Sequence, residues 1–335
     1  MNKQLKKIIY LAALLCINQL GAHPFATLHD CKAYHLVTFT PCKSASGKKI
    51  TLNRMIKTMR KNKRWTLEGT YIQTKPNKFL QLSTYLPQNY MGTLYVNMPG
   101  YITPRNKYNY PDRCAAEMVL AYQKGFIENC LAVSFCPPNH DRSQFNFGQE
   151  DDQKLLSKFL NTLAGQNPQA SIIINGTCAG ATGVLNTLTR TDLLTPLAQK
   201  NIKAALLQSP GITSDRVLKD RVKPFFNYVP FLKPAFQAAI HHVALPNCKP
   251  ENEQEVLARY NTIPKHIEFL IAKLAHDRVT PSKTIARQEE ILKKNNIKIT
   301  VFESHNKSIK HAYLARDADF LATVKTFLAE RNLDH

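Results

Sequence analysis

A nucleophile, a carboxylate and a base occur in that order in the second half of this 335-residue chain, as Cys178, Asp277 and a histidine at position 305 or 311. Cys178 is centred in Gly176-Thr177-Cys178-Ala179-Gly180, with the β-branched run 171–175 before it and the helix-forming stretch 181–188 after it. A strand, a sharp turn and a helix with the nucleophile at the turn is the layout of a nucleophile elbow. The flanking glycines have a steric reason, since strand and helix come too close there for a Cβ. The first peptide N–H of the new helix, that of Ala179, points to where an oxyanion forms. Taken alone, the five residues also fit a glycine-rich turn carrying a small buried cysteine, which behaves as a hydrophobe.

Positioning these groups requires strands that end where the chemistry is needed. Residues 67–74 and 79–86 alternate in polarity about Lys75-Pro76-Asn77-Lys78 and predict an antiparallel hairpin at a sheet edge. Residues 93–97, 130–135, 171–175, 203–207, 267–273 and 297–302 are short and mostly apolar, as strands buried on both faces are. Helical patterns at 111–124, 151–164, 181–189, 281–294 and 312–328 lie between and after them. The alternation predicts an α/β protein, a mostly parallel sheet with helices on both faces. Asp277 then follows the 267–273 strand, and His305 and His311 follow the 297–302 strand. Asp277 also suits a cap for the helix beginning near Pro281.

With these elements in place, the chain resembles the α/β-hydrolase superfamily over residue 65 to the end. The resemblance rests on the elbow 176–180, on Asp277-Arg-Val-Thr-Pro281, and on a histidine ahead of a final helix ending in Phe327-Leu328. It implies a Cys178, Asp277, His311 triad, with His311 preferred to His305 by its distance from that helix. Dienelactone hydrolases, a branch of the superfamily, are similar in having cysteine as the nucleophile. The resemblance also implies that the loop Met98-Pro99-Gly100-Tyr101 supplies a second oxyanion donor, the Tyr101 backbone N–H, beside that of Ala179. A thiol ionises near pH 8.5, lower beside an imidazolium and a helix N-terminus, and its thiolate suits activated acyl groups such as thioesters, lactones and aryl esters. The expected function is an exported hydrolase of small or lipid-like acyl esters or thioesters, without cofactor or metal. The alternative is a catalytically silent protein of the same fold that binds a surface or partner.

The remaining chain reads as accessories to that domain. Lys3, Lys6 and Lys7 ahead of an apolar run and Gly21-Ala22 predict a signal peptide over residues 1–22, hence a secreted or periplasmic protein. Residues 23–64 read as a basic N-terminal extension. From Lys48 to Arg64 there are eight Lys/Arg and no acid, part of a net charge of +21. Leu52, Met55, Ile56 and Met59 make this stretch an amphipathic helix whose charged face is either solvated or set against an anionic surface. No aromatic residues interleave the charges, which argues against nucleic acid. Residues 211–262 are too long and apolar for a simple connection and are read as a helical cap or a separately packed ornament. Setting aside Cys16 and the nucleophile, Cys31, Cys42, Cys114, Cys130, Cys136 and Cys248 suffice for three disulfides, with Cys31–Cys42 and Cys130–Cys136 the expected local pairs.

Overall fold

The computed structural model describes residues 35–60, 64–100, 110–136, 148–217, 220, 248–249, 251–311 and 313–334. The expected signal peptide lies outside them. Six consecutive runs form the parallel part of one sheet: β5 (Thr93–Met98), β6 (Leu131–Cys136), β7 (Ser171–Thr177), β8 (Ile202–Gln208), β9 (Glu268–Leu274) and β10 (Ile299–Ser304). Their order across the sheet is β10-β9-β8-β7-β5-β6. The chain therefore steps one way from β5 to β6 and the other way from β7 onward. The direction of winding reverses between β5 and β7, and in open sheets of this kind the site lies outside the strands' C-terminal ends at that point.

The other half of the sheet corrects one expectation. Residues 35–42, inside the stretch read as an N-terminal extension, form β1 (His35–Cys42). This strand lies antiparallel between β6 and β4 (Lys78–Ser83), so it is internal to the sheet. The predicted hairpin β3 (Thr70–Lys75) and β4 is present, with the two-residue β2 (Lys48–Lys49) pairing beyond it. Val37 and Phe39 of β1 are buried, Phe39 completely. Long-range pairing, rather than a local cue, puts the strand there, although the β-forming run Leu36-Val-Thr-Phe-Thr40 was its available signal. Phe39→Ala is accordingly expected to destabilise the fold by about 3–5 kcal/mol, measured by denaturant unfolding. An effect under about 1 kcal/mol would mean that this segment is peripheral.

Helices cover both faces. One face is packed by α3 (Glu150–Gln166), α4 (Ala179–Leu188) and α7 (Ser282–Lys294), through Leu156, Leu160, Val184, Leu185, Ile285 and Leu292. The opposite face is packed by α1 (Leu52–Arg60), α2 (Tyr110–Gln123) and α8 (Ala318–Ala329). The amphipathic basic helix is α1. It buries Met55, Ile56 and Met59 and leaves Arg54 and Lys57 outward. The expected cap is divided: residues 218–219 and 221–247 lie outside the described residues, whereas α6 (Glu253–Ala258) buries Val256 and Leu257 in the main core, joined by Tyr260. The end of that insertion thus belongs to the domain itself. A further short helix, α5 (Pro196–Asn201), had not been expected.

The disulfide expectation fails where it can be checked. Cys42, Cys130, Cys178 and Cys248 carry free thiols. Cys130 immediately precedes β6 and Cys136 ends it, and an extended run at roughly 3.3 Å per residue separates them by about 20 Å, far beyond disulfide reach. Cys42 instead lies 3.7 Å from the Phe79 carbonyl, and Cys130 lies 3.5 Å from that of Leu333. Burial pushes both the Cys130 and Cys248 thiols up to about 12, so they are protonated and unreactive. Cys31 and the side chains of Cys114 and Cys136 lie outside the described residues.

Candidate active site

Cys178 follows β7 directly and precedes α4, with φ 53° and ψ −117°. A positive φ is strained for a residue with a side chain and is held here by its surroundings. Its N–H donates to the Gln208 carbonyl of β8 at 2.7 Å, and its carbonyl accepts from the Thr182 N–H at 3.0 Å, which begins the helix. The glycines have the expected steric role. A Cβ on Gly176 would stand 2.6 Å from the Ala181 Cα, and one on Gly180 would stand 2.3 Å from the Pro99 carbonyl oxygen. Thr182 ties this turn to the loop after β8, its hydroxyl accepting from the Gly211 N–H at 2.9 Å.

The loop after β5 closes on the same point. A Cβ on Gly100 would lie 2.8 Å from the Cys178 Cβ, so the backbone one residue before Tyr101 touches the nucleophile candidate. Tyr101 itself lies outside the described residues. The Ala179 N–H is the first of α4 and has no partner within the helix, which places a donor and the positive end of the helix beside the sulfur.

Asp277 and His311 arrive from neighbouring strands. Leu274 and Ser304, the last residues of β9 and β10, are in register, and the Ala275 N–H donates to the Ser304 carbonyl at 3.0 Å. Asp277 is buried. Its Oδ1 accepts from the Val279 and Thr280 N–H groups at 2.8 and 3.1 Å, while its Oδ2 stands 2.7 Å from His311 Nδ1. The alternative role as a helix cap does not apply, because α7 starts at Ser282 behind Pro281 without a side-chain cap. The loop carrying His311 is anchored by buried Ile309 on one side and Leu314 on the other. His276 fastens it further through Nε2 to the Ile309 carbonyl at 3.0 Å. His305 is exposed and stands apart from this arrangement.

The electrostatics favour charge separation along this row. Burial raises the Asp277 carboxyl, but the hydrogen bond and charge of His311 and the two loop N–H groups outweigh it and hold it below its ordinary value. Burial also works against the imidazolium. The Cys178 charge, then hydrogen bonding with Asp277 and Cys178, overcome this and raise His311 to about 10. Its Nε2 is buried without a hydrogen-bond partner among the described residues, and Cys178 is near enough to act on the ring. Loose contacts of this kind tighten when a reacting group binds. A base beside the sulfur activates a cysteine nucleophile. His311→Ala should therefore lower the rate of Cys178 carboxamidomethylation by iodoacetamide at pH 7 by about 10- to 100-fold. A rate unchanged at pH 7 would show that His311 does not act on the thiol.

Sequence reasoning missed a row of buried amides below the elbow. Asn175 Nδ2 donates to Asn97 Oδ1 at 2.6 Å, and Gln208 Nε2 donates to Asn175 Oδ1 at 3.1 Å, across three adjacent strands. The signal was present, since the apolar runs of β5, β7 and β8 each reach a buried amide at or near their C-terminal ends. Asn175 also begins an Asn-Gly-Thr sequence, and its burial removes it as a glycosylation acceptor.

No protein-family model matches the chain, and no curated protein does. Solved structures similar to it include an esterase from Pyrococcus furiosus, at 17% identity and a TM-score of 0.48, covering 72% of this chain and 83% of that one. An acylaminoacyl peptidase from Pyrococcus horikoshii is similar at 15% identity and a TM-score of 0.48, over 74% of this chain and 39% of the peptidase. A Klebsiella pneumoniae protein assigned to the dienelactone hydrolases is similar at 12% identity and a TM-score of 0.44, over 73% and 89%.

Proposed function

We propose that this chain, which has the α/β-hydrolase fold, is a cysteine-dependent hydrolase of small or lipid-like acyl esters or thioesters. The observation that carries the reading is His311, hydrogen-bonded at Nδ1 to buried Asp277 at 2.7 Å, with its other nitrogen buried and unpartnered among the described residues and with Cys178 near enough to favour the imidazolium. A nucleophile, a base and an orienting carboxylate in that relation form a working triad on any fold. The Cys178 thiolate attacks the acyl carbon, forming a C–S bond while the carbonyl electrons move onto oxygen. The Ala179 N–H, with the Tyr101 N–H as the expected second donor, stabilises that oxyanion. As the C–S acyl-enzyme forms, His311 passes its proton to the departing alkoxide or thiolate. Water then attacks the acyl-enzyme, His311 takes the water proton, and Cys178 leaves as thiolate with release of the carboxylic acid.

Activated acyl groups suit this apparatus because a thiolate is a better leaving group than an amine. The tetrahedral intermediate of an amide therefore returns to reactants, whereas that of an aryl ester or thioester goes forward. Export through residues 1–22 belongs to the same reading and is checked by the intact mass of secreted protein. The deciding experiment is a series of 4-nitrophenyl esters and acyl thioesters of graded chain length, assayed before and after stoichiometric alkylation of Cys178. Turnover abolished by alkylation supports the reading. A thiol that resists alkylation, with no turnover of any member, would favour a silent binding protein.

A further inference from the structure

On the face of the sheet covered by α1, α2 and α8 there is a cavity of about 360 Å³ whose lining includes neither Cys178 nor His311. That volume is within the ordinary range of small-molecule pockets. Ile56 of α1, Ala116, Leu120 and Ala121 of α2, Phe126 and Leu321 give it an apolar wall. Leu120 is 45% exposed, so part of this wall faces water. Ala116, Leu120 and Lys124 follow one another at i, i+4 and i+8, along one side of a helix over about 12 Å. The helical pattern holds as far as Lys124, whose N–H donates to the Leu120 carbonyl at 3.0 Å. A cation therefore stands at the end of an apolar row.

A second cation lies at the same end. Lys124 Nζ donates to the Ala315 carbonyl at 3.0 Å, and the guanidinium of the next residue, Arg316, is stacked over the Tyr313 ring at 4.6 Å from its centroid. Neither side chain has a carboxylate partner among the described residues. The Ala315 bond uses one of three ammonium hydrogens, and stacking leaves the donor-bearing edge of the guanidinium uncommitted. Glu117 also lines the cavity, but it is seven residues before Lys124, about 10 Å back along α2, and near enough to fully buried Tyr95 to act on its hydroxyl. We infer that this cavity binds a medium-length aliphatic carboxylate, its chain along the Ala116–Leu120 row and its head on Lys124 and Arg316. A carboxylate fits a guanidinium edge, and charge-assisted hydrogen bonds are stronger than neutral ones. A neutral apolar molecule would leave both cations unused, and an ammonium would meet them as like charge. Asn175 and Gln208, which also line the cavity, are hydrogen-bonded to each other and make no demand on the ligand. The inference does not depend on the hydrolase reading, since binding here requires no turnover.

The test is a methyl NMR titration of the full chain at pH 8 with decanoate, 1-decanol and decyltrimethylammonium, each below its micelle-forming concentration, read at Ile56, Leu120 and Leu321. Decanoate should shift all three methyl signals saturably and bind about tenfold more tightly than decanol, the ratio expected of one charge-assisted hydrogen bond. Decyltrimethylammonium should bind more weakly than either. Lys124→Gln combined with Arg316→Gln should bring decanoate down to the affinity of decanol and leave the Tm unchanged, because both side chains are exposed. Ala116→Phe, which fills the apolar wall and keeps both cations, should abolish the shifts for decanoate and decanol alike. Binding should persist after Cys178 has been carboxamidomethylated, which separates this site from the triad. Equal affinity for decanoate and decanol, tightest binding by the ammonium, indifference to the paired charge substitution, loss of binding on alkylation of Cys178, or no saturable shift would each overturn the inference.

Discussion

Replacing Cys178 with alanine should reduce kcat by about 10⁴- to 10⁶-fold on any ester or thioester the protein hydrolyses, since triad members act as a unit. The residual rate would come from the oxyanion donors and from binding alone. The fold should tolerate the change: the sulfur is not part of a disulfide, and the strained φ of 53° is set by Gly176, Gly180 and the loop after β8 rather than by the thiol. Cys178→Ser should do less harm, because His311 and Ala179 remain. A hydroxyl needs its proton removed during attack, however, so its activity should depend more steeply on pH. Stopped-flow assay with a chromogenic leaving group measures both. Normal turnover by Cys178→Ala would remove the enzymatic reading altogether.

Asp277→Asn should cost about 10³- to 10⁴-fold in kcat. An asparagine Oδ1 can still accept the Val279 and Thr280 N–H groups, so the loop survives. Its Nδ2 would then face His311 Nδ1 as a donor, turning the imidazole to the tautomer whose proton points at the sulfur. The same substitution should alter the pH profile of stability. Asp277 is held below its ordinary value, so its contribution is present above about pH 4 and is lost as pH falls through the lowered folded value. His311 is raised to about 10, so its contribution is full below its unfolded value and declines as pH rises through 10. The wild-type protein should thus hold its triad-derived stability between those limits, and Asp277→Asn should flatten the curve. Denaturant midpoints from about pH 2 to 10 provide the comparison. An unchanged profile would mean that the pair contributes nothing to folding.

The strands β5 to β9 were legible because strands buried on both faces have no polar side, and a short apolar run between turns has few other uses; the edge strand β10, with Val301 exposed, was legible from its β-forming residues instead. The elbow was legible for an equally local reason: Gly176 and Gly180 are fixed by clashes with atoms within a few residues or one loop away. The succession of Cys178, Asp277 and a histidine after three strands could also be read along the chain.

What tertiary structure alone decided involves distance between residues far apart in sequence. His311 rather than His305 meets Asp277 because Ile309 and Leu314 pin that part of the loop into the core. The strand β1, read as part of an extension, is internal because its partners are strands about 40 and 100 residues away, and no local preference encodes such pairing. The expected Cys130–Cys136 bridge failed for the converse reason, since six residues that are close in a loop are far apart in a strand. The buried amides show the same limit. Each amide is an ordinary polar residue at the end of its own strand, and only the register of β5, β7 and β8 makes them one row with a donor left unmatched. Residue types and their local order therefore determined the chemistry available to this protein, and the pairing of distant strands determined which of those groups meet, because contact energies act through space and not along the chain.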